Sequence, residues 1–146
     1  MADTLVSRMV PIFKTSESAI KQITYGVVYE PNLEYVGGQA VITGKPDTQE
    51  DVMTAEEIEK LAHRFLIESQ IINEQHEDLE PIGVPVESYI APIDFAFQLP
   101  DGTVKMVKKG SWVLATKWSD DAWEKVLSGD INAYSMEGLG FRREVS

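Results

Sequence analysis

Apolar residues alternate with polar or small ones over several short runs of this chain, and fall at helical spacing in two others. From Ile20 to Glu30, Ile23, Tyr25, Val27 and Tyr29 alternate with Thr24, Gly26, Val28 and Glu30, the period of two that a strand imposes on its faces. Before it, Met9-Val10-Pro11-Ile12-Phe13 reads as an edge strand, because proline lacks the N–H that an inner ladder requires. Pro31 and Asn32 close the first strand, and Gly37-Gly38 turns the chain into a short strand at Gln39–Thr43. Val84 to Phe97 is β-rich, with Pro85 and Pro92 marking interruptions or edges, and Leu99-Pro100-Asp101-Gly102-Thr103 is a turn between two apolar runs. The antiparallel pattern continues through Val104–Val107 and Ser111–Trp118, where Trp112, Leu114, Thr116 and Trp118 share one face.

Helical spacing begins at Thr54. Glu57 stands three residues on, so side chain and backbone can cap each other reciprocally, and Ile58, Leu61, Ala62, Phe65 and Leu66 form an apolar stripe. His63 lies at the rim of that stripe. A second, shorter helix starts after Ser119, with Asp120 and Asp121 at its positive end and Gly129 as its stop; Trp123, Val126 and Leu127 form its expected buried face. From Ile131 to Phe141 the chain returns to strand character around Ser135. Antiparallel strands with two inserted helices predict an α+β fold, a β-barrel or curled sheet rather than βαβ units. Its core is expected to include Ile58, Leu61, Phe65, Trp112, Leu114 and Trp123.

A length of 146 residues suits one domain, taken as 1–146, with residues 1–18 as an N-terminal arm or edge strand. The formal net charge of -11 argues against nucleic acid and anionic membrane surfaces as partners. The short basic runs at Lys105–Lys109 and Arg142-Arg143 read as solvated faces. Without cysteine there is no disulfide and no thiol chemistry, which fits a reducing compartment. The N-terminal run has no long apolar segment behind a basic start, so neither a signal peptide nor a membrane span is expected. Gly38 to Lys45 has the wrong spacing for a phosphate loop, and Pro46 occupies the position of the magnesium-binding hydroxyl.

The residues that could carry chemistry are Ser135, in Tyr134-Ser135-Met136, and His76, in Gln75-His76-Glu77-Asp78. A neutral imidazole can accept a serine proton near pH 7, but two residues so far apart act together only if the fold joins them. Ser88 and Ser111 are alternative nucleophiles on chemistry alone, although both fall in expected strands. His76 with Glu77 and Asp78 lacks the histidine or cysteine count of a usual zinc centre, so no metal or cofactor is expected.

Several segments in order resemble one family: Tyr25–Pro31, Asp51–Lys60 with Ala62-His63, Gln75-His76, Val86–Pro92, Lys109–Val113 and Tyr134–Met136. Together they resemble the XkdF-type serine proteases of tailed phages and defective prophages, a group similar to prohead maturation proteases with the fold of herpesvirus assemblin. The resemblance implies an endopeptidase acting in the host cytoplasm inside the immature capsid. Its implied substrates are scaffold or core proteins, with the major capsid protein and the protease itself as further ones. It also implies Ser135 as nucleophile, His76 as base and a homodimer or higher oligomer.

Assemblin takes its third group from a second histidine beyond the serine, which this chain lacks. An acidic residue must serve instead: Glu87 first, from the family-like Val86-Glu87-Ser88-Tyr89, with Glu77 and Asp78 as rivals. Gly138-Leu139-Gly140 could supply flexible backbone to an oxyanion and Arg142-Arg143 cationic support, though the arginines also read as a solvated C-terminal turn. The alternative function is a non-catalytic capsid-assembly or structural protein of the same fold.

Overall fold

The structure, a computed structural model, describes residues 4–15, 18–44, 52–69, 71–74 and 83–140. In chain order the strands are β1 (Thr4–Pro11), β2 (Ile23–Tyr29), β3 (Leu33–Val36), β4 (Gln39–Ile42), β5 (Ile71–Glu74), β6 (Gly83–Ile90), β7 (Phe95–Gln98), β8 (Val104–Val107), β9 (Trp112–Trp118) and β10 (Ala133–Gly140). The helices are a single turn α1 (Ser18–Lys21), α2 (Ala55–Arg64), continued by a wide π turn at Phe65–Ser69, and α3 (Asp120–Ser128). All strand pairing is antiparallel, in two three-stranded sheets, β1-β10-β5 and β2-β9-β6, and two hairpins, β3-β4 and β7-β8.

The strand at the centre of the second sheet, β9, is buried at every position except Lys117. Its alternation divides the sheet into two covered faces. Trp112, Leu114 and Trp118 enter the main core with Ile58, Ala62 and Phe65 of the α2 segment and Ala122, Trp123 and Val126 of α3. Val113 faces the other way, into a smaller cluster with Ala91, Val107, Tyr25, Val27, Tyr89, Phe95 and Phe97 beneath the β7-β8 hairpin.

Strand β2 buries the face that reads as the more polar one. Thr24, Gly26 and Val28 turn to the main core, while Tyr25 and Val27 are half-buried on the aromatic side. Two contacts explain this. The Trp118 indole donates to Thr24 Oγ1 at 2.8 Å, which satisfies a buried hydroxyl, and the missing side chain of Gly26 lets the first sheet approach closely. A Cβ at Gly26 would stand 2.8 Å from Val10 Cγ1 and 2.9 Å from the Pro11 carbonyl oxygen. A register shift between Val27 and Tyr29 then brings Tyr29 into the same core as Val28.

The expected barrel does not close. The two sheets are joined through the Phe13–Tyr25 bridge, where each backbone N–H donates to the other's carbonyl at 2.8 and 3.0 Å. On the far side, β6 is interrupted by Pro85, which has no N–H, and by a bulge between Pro85 and Glu87. Among the described residues it forms no ladder with β5. The architecture is α+β with open antiparallel sheets.

Helix α2 begins as its capping box requires: the Glu57 N–H donates to Thr54 Oγ1 at 3.2 Å and the Thr54 N–H to Glu57 Oε1 at 3.4 Å. Thr54→Ala should cost about 1 kcal/mol, seen as a small fall in the urea midpoint with an unchanged slope. Ile58, Ala62 and Phe65 are buried and Leu61 partly so, but Leu66 is exposed, because the π turn rotates it off the apolar stripe. Helix α3 is capped by Ser119 and ends at Gly129, whose φ of 86° suits glycine; Leu127 is half-exposed, leaving Trp123 and Val126 as its buried face. Phe65 packs at 5.7 Å from the Trp112 ring and is 1% exposed. Phe65→Ala is expected to lose about 3–5 kcal/mol, and an unchanged thermal midpoint would show that this helix face is not the core.

Candidate active site

Ser135 lies on the central strand of the first sheet. Across β10 it is paired with Met9 of β1 on one side and Asn73 of β5 on the other. A strand forms here because Tyr134, one residue earlier, buries its whole side chain. It packs edge-on to Trp118 with ring centres 5.8 Å apart, at the Val10–Tyr134 rung that meets Gly26. The sequence placed a strand around Ser135, but its two neighbours are set by long-range pairing that no local pattern displays.

His76, with its neighbours Glu77 and Asp78, lies outside the described residues, as do Arg142 and Arg143. Strand β5 ends at Glu74, which is paired with Tyr134. Two peptide units therefore separate His76 from the residue opposite Tyr134, and three from the residue opposite Ser135. The structure thus unites Ser135 with the strand that leads into His76.

Glu87 is placed elsewhere. It sits on β6 opposite Ala115, on the aromatic face of the second sheet, and is exposed. The Tyr25 hydroxyl donates to Glu87 Oε2 at 3.4 Å from the far side of Ala115, since Tyr25 and Glu87 pair with that same residue. Tyr134 packs on the opposite face of this sheet, so Glu87 and Tyr134 stand on different sides of β9. Tyr89 shares the aromatic face, where burial and then the Glu87 carboxylate push its phenol up. Tyr25 as the partner of Glu87 was missed from sequence; the signal was its alternation with Val27, but the cross-strand register was needed to use it.

The other serines have structural surroundings. Ser88 Oγ accepts from the Trp112 indole at 3.0 Å. Ser111 is fully buried, and its hydroxyl has no hydrogen-bond partner among the described residues. His63 is exposed on α2, 4.0 Å from Glu59, and lines a cleft of about 870 Å³ between α2 and the β3-β4 hairpin. The described residues lining that cleft include Leu33, Tyr35, Met53 and Lys60 but no serine. Among the described residues, no cluster of three or more histidine or acidic side chains could hold a metal, and no helix is long and apolar enough to cross a membrane.

The glycine segment after Ser135 continues the strand, as the strand character of Ile131–Phe141 predicts. Gly138, Leu139 and Gly140 ladder with Val6, Leu5 and Thr4 of β1, while pairing with β5 stops at Glu137. Among the described residues this segment is therefore laddered on its β1 side only.

Residues 9–144 match the family described as "Putative phage serine protease XkdF". Over 131 residues the chain is 44% identical to the Phage-like element PBSX protein XkdF of Bacillus subtilis (strain 168), covering 90% of this chain and 42% of that protein. It is also 41% identical over 122 residues to the uncharacterized protein YqbD of the same organism, covering 84% of this chain and 33% of the relative. The chain thus spans less than half the length of these curated relatives. No solved structure matches it.

Proposed function

Because the chain belongs to the family described as "Putative phage serine protease XkdF", we propose that it is a serine endopeptidase with Ser135 as nucleophile and His76 as general base. The observation that carries the proposal is the β10–β5 register, which sets Ser135 opposite Asn73 on the strand that runs toward His76. Glu74, the last residue of β5, is paired with Tyr134 and precedes His76 by two residues in the sequence. In the proposed reaction the imidazole takes the Ser135 hydroxyl proton as its oxygen attacks the peptide carbonyl. It then gives that proton to the leaving amine, and water releases the acyl group by the same route. The oxyanion is proposed to be met by backbone N–H groups of Gly138–Gly140, the segment that follows the nucleophile on the same strand.

The orienting carboxylate is proposed from Glu77, Asp78 and Glu87. The position of Glu87 beside Tyr25, across β9 from Tyr134, favours the pair adjacent to His76. Glu87→Gln should therefore leave cleavage within a few-fold of wild type, whereas loss of the acidic group that holds the imidazole costs far more. The phage context of the family supports a wider role in prohead maturation, within the fold of the assemblin-like proteases. In that role the enzyme trims scaffold or core proteins, and acts as a dimer or larger assembly inside the procapsid in the host cytoplasm. Coexpression with the neighbouring phage scaffold and capsid proteins, followed by mass spectrometry, tests this reading. New termini that disappear with Ser135→Ala support it, and intact partners would leave a capsid-assembly protein without protease activity.

A further inference from the structure

The structure assigns Tyr134 as the residue that positions Ser135, an inference resting on the nucleophile assignment above. Tyr134 is 0% exposed and joins the two sheets immediately before Ser135 in the chain. Its ring meets Trp118 edge-on, and its β1 partner Val10, also 0% exposed, stands over Gly26 at the same rung. At Tyr134 the strand bearing Ser135 is thus clamped from two directions, by its ladder with β1 and β5 and by the ring pressed into the second sheet.

The anchor is the ring and not the hydroxyl. The Tyr134 and Thr116 hydroxyls are both buried and near each other, but among the described residues neither makes a hydrogen bond of good geometry. The contact between these hydroxyls is too poorly aligned to fix the strand, so phenylalanine, which keeps the ring against Trp118, should position β10 about as well. A flexible side chain of similar bulk would keep the core filled but lose the single ring orientation that fixes β10. Displacements of about 1 Å at a reacting group can cost about a hundredfold in rate, so this clamp acts on the chemical step rather than on binding.

The test is the labelling of the full chain by a fluorophosphonate, separated into the limiting rate kinact and the half-saturating concentration KI, with thermal melts confirming that each variant is folded. Tyr134→Met is expected to lower kinact about tenfold or more with KI unchanged, and Tyr134→Phe to restore the wild-type rate. Should Tyr134→Met not fold, Trp118→Phe, which shrinks the surface under the ring, should lower kinact in the same way by a smaller factor. A folded Tyr134→Met or Trp118→Phe protein with the wild-type kinact overturns the positioning role alone. If wild-type protein is not labelled at Ser135, the nucleophile assignment fails and this inference falls with it.

Discussion

Gly26→Ala is expected to destabilise the protein by about 3 kcal/mol or more, at the upper end of what overpacking costs. The added methyl would meet Val10 Cγ1 at 2.8 Å and the Pro11 carbonyl oxygen at 2.9 Å, both closer than real Cβ contacts come. Val10 is buried and lies opposite Tyr134 in the ladder, so it has little room to yield, and the Pro11 oxygen belongs to backbone held within β1. The strain must therefore move the β1-β10 pair away from β2. In a chain of this size the penalty corresponds to a fall in Tm of roughly 10 °C, read by calorimetry. A Tm within a degree or two of wild type would show that the sheets do not meet at Gly26.

Ser135→Ala and His76→Ala should each reduce cleavage by about four orders of magnitude or more, and the double variant should lose little beyond either single one. The reason is chemical interdependence: the imidazole accelerates attack only by taking the serine proton, and the serine is a weak nucleophile without that base. Both variants should melt close to wild type. The activity of wild type should fall in acid, because a protonated imidazole cannot accept the serine proton. Independent, multiplicative losses would mean that the two residues do not form one unit.

Much of the scaffold was legible in local signals. The Thr54–Glu57 capping box, the Ser119 cap with Gly129 as stop, and the alternation of Trp112, Leu114, Thr116 and Trp118 each announce an element through chemistry contained within a few residues. The Gly37-Gly38 turn is equally local, with both residues at positive φ of 59° and 82°. What escaped depends on distant partners. Strands β3 and β5 are four residues each and, unlike the equally short β4 and β8, have no glycine turn just before them to announce their start. Alternation in β2 did not say which face is buried, because Gly26 contributes by having no side chain and the Thr24 hydroxyl is satisfied by the distant Trp118 indole. Leu66 and Leu127 fit the apolar stripes yet are exposed, since a π turn and a short helix each leave one stripe residue over solvent.

The candidate site divides in the same way. Ser135 stood out by its flanking strand and by the family-like residues around it, and β10 carries it as the centre of a sheet. That β5 would be its neighbour, and that Glu87 would sit with Tyr25 across the other sheet, are facts of pairing over many tens of residues. Alternation along one strand ranks faces but cannot say which strand lies beside it.

The central claim is that Ser135 is the nucleophile. Incubation of the full chain with a fluorophosphonate, followed by peptide mass mapping, measures it directly. The account predicts a single stoichiometric adduct on Ser135, absent from Ser135→Ala and strongly reduced in His76→Ala. An adduct on Ser88 or Ser111, or no adduct on folded wild-type protein, would contradict it.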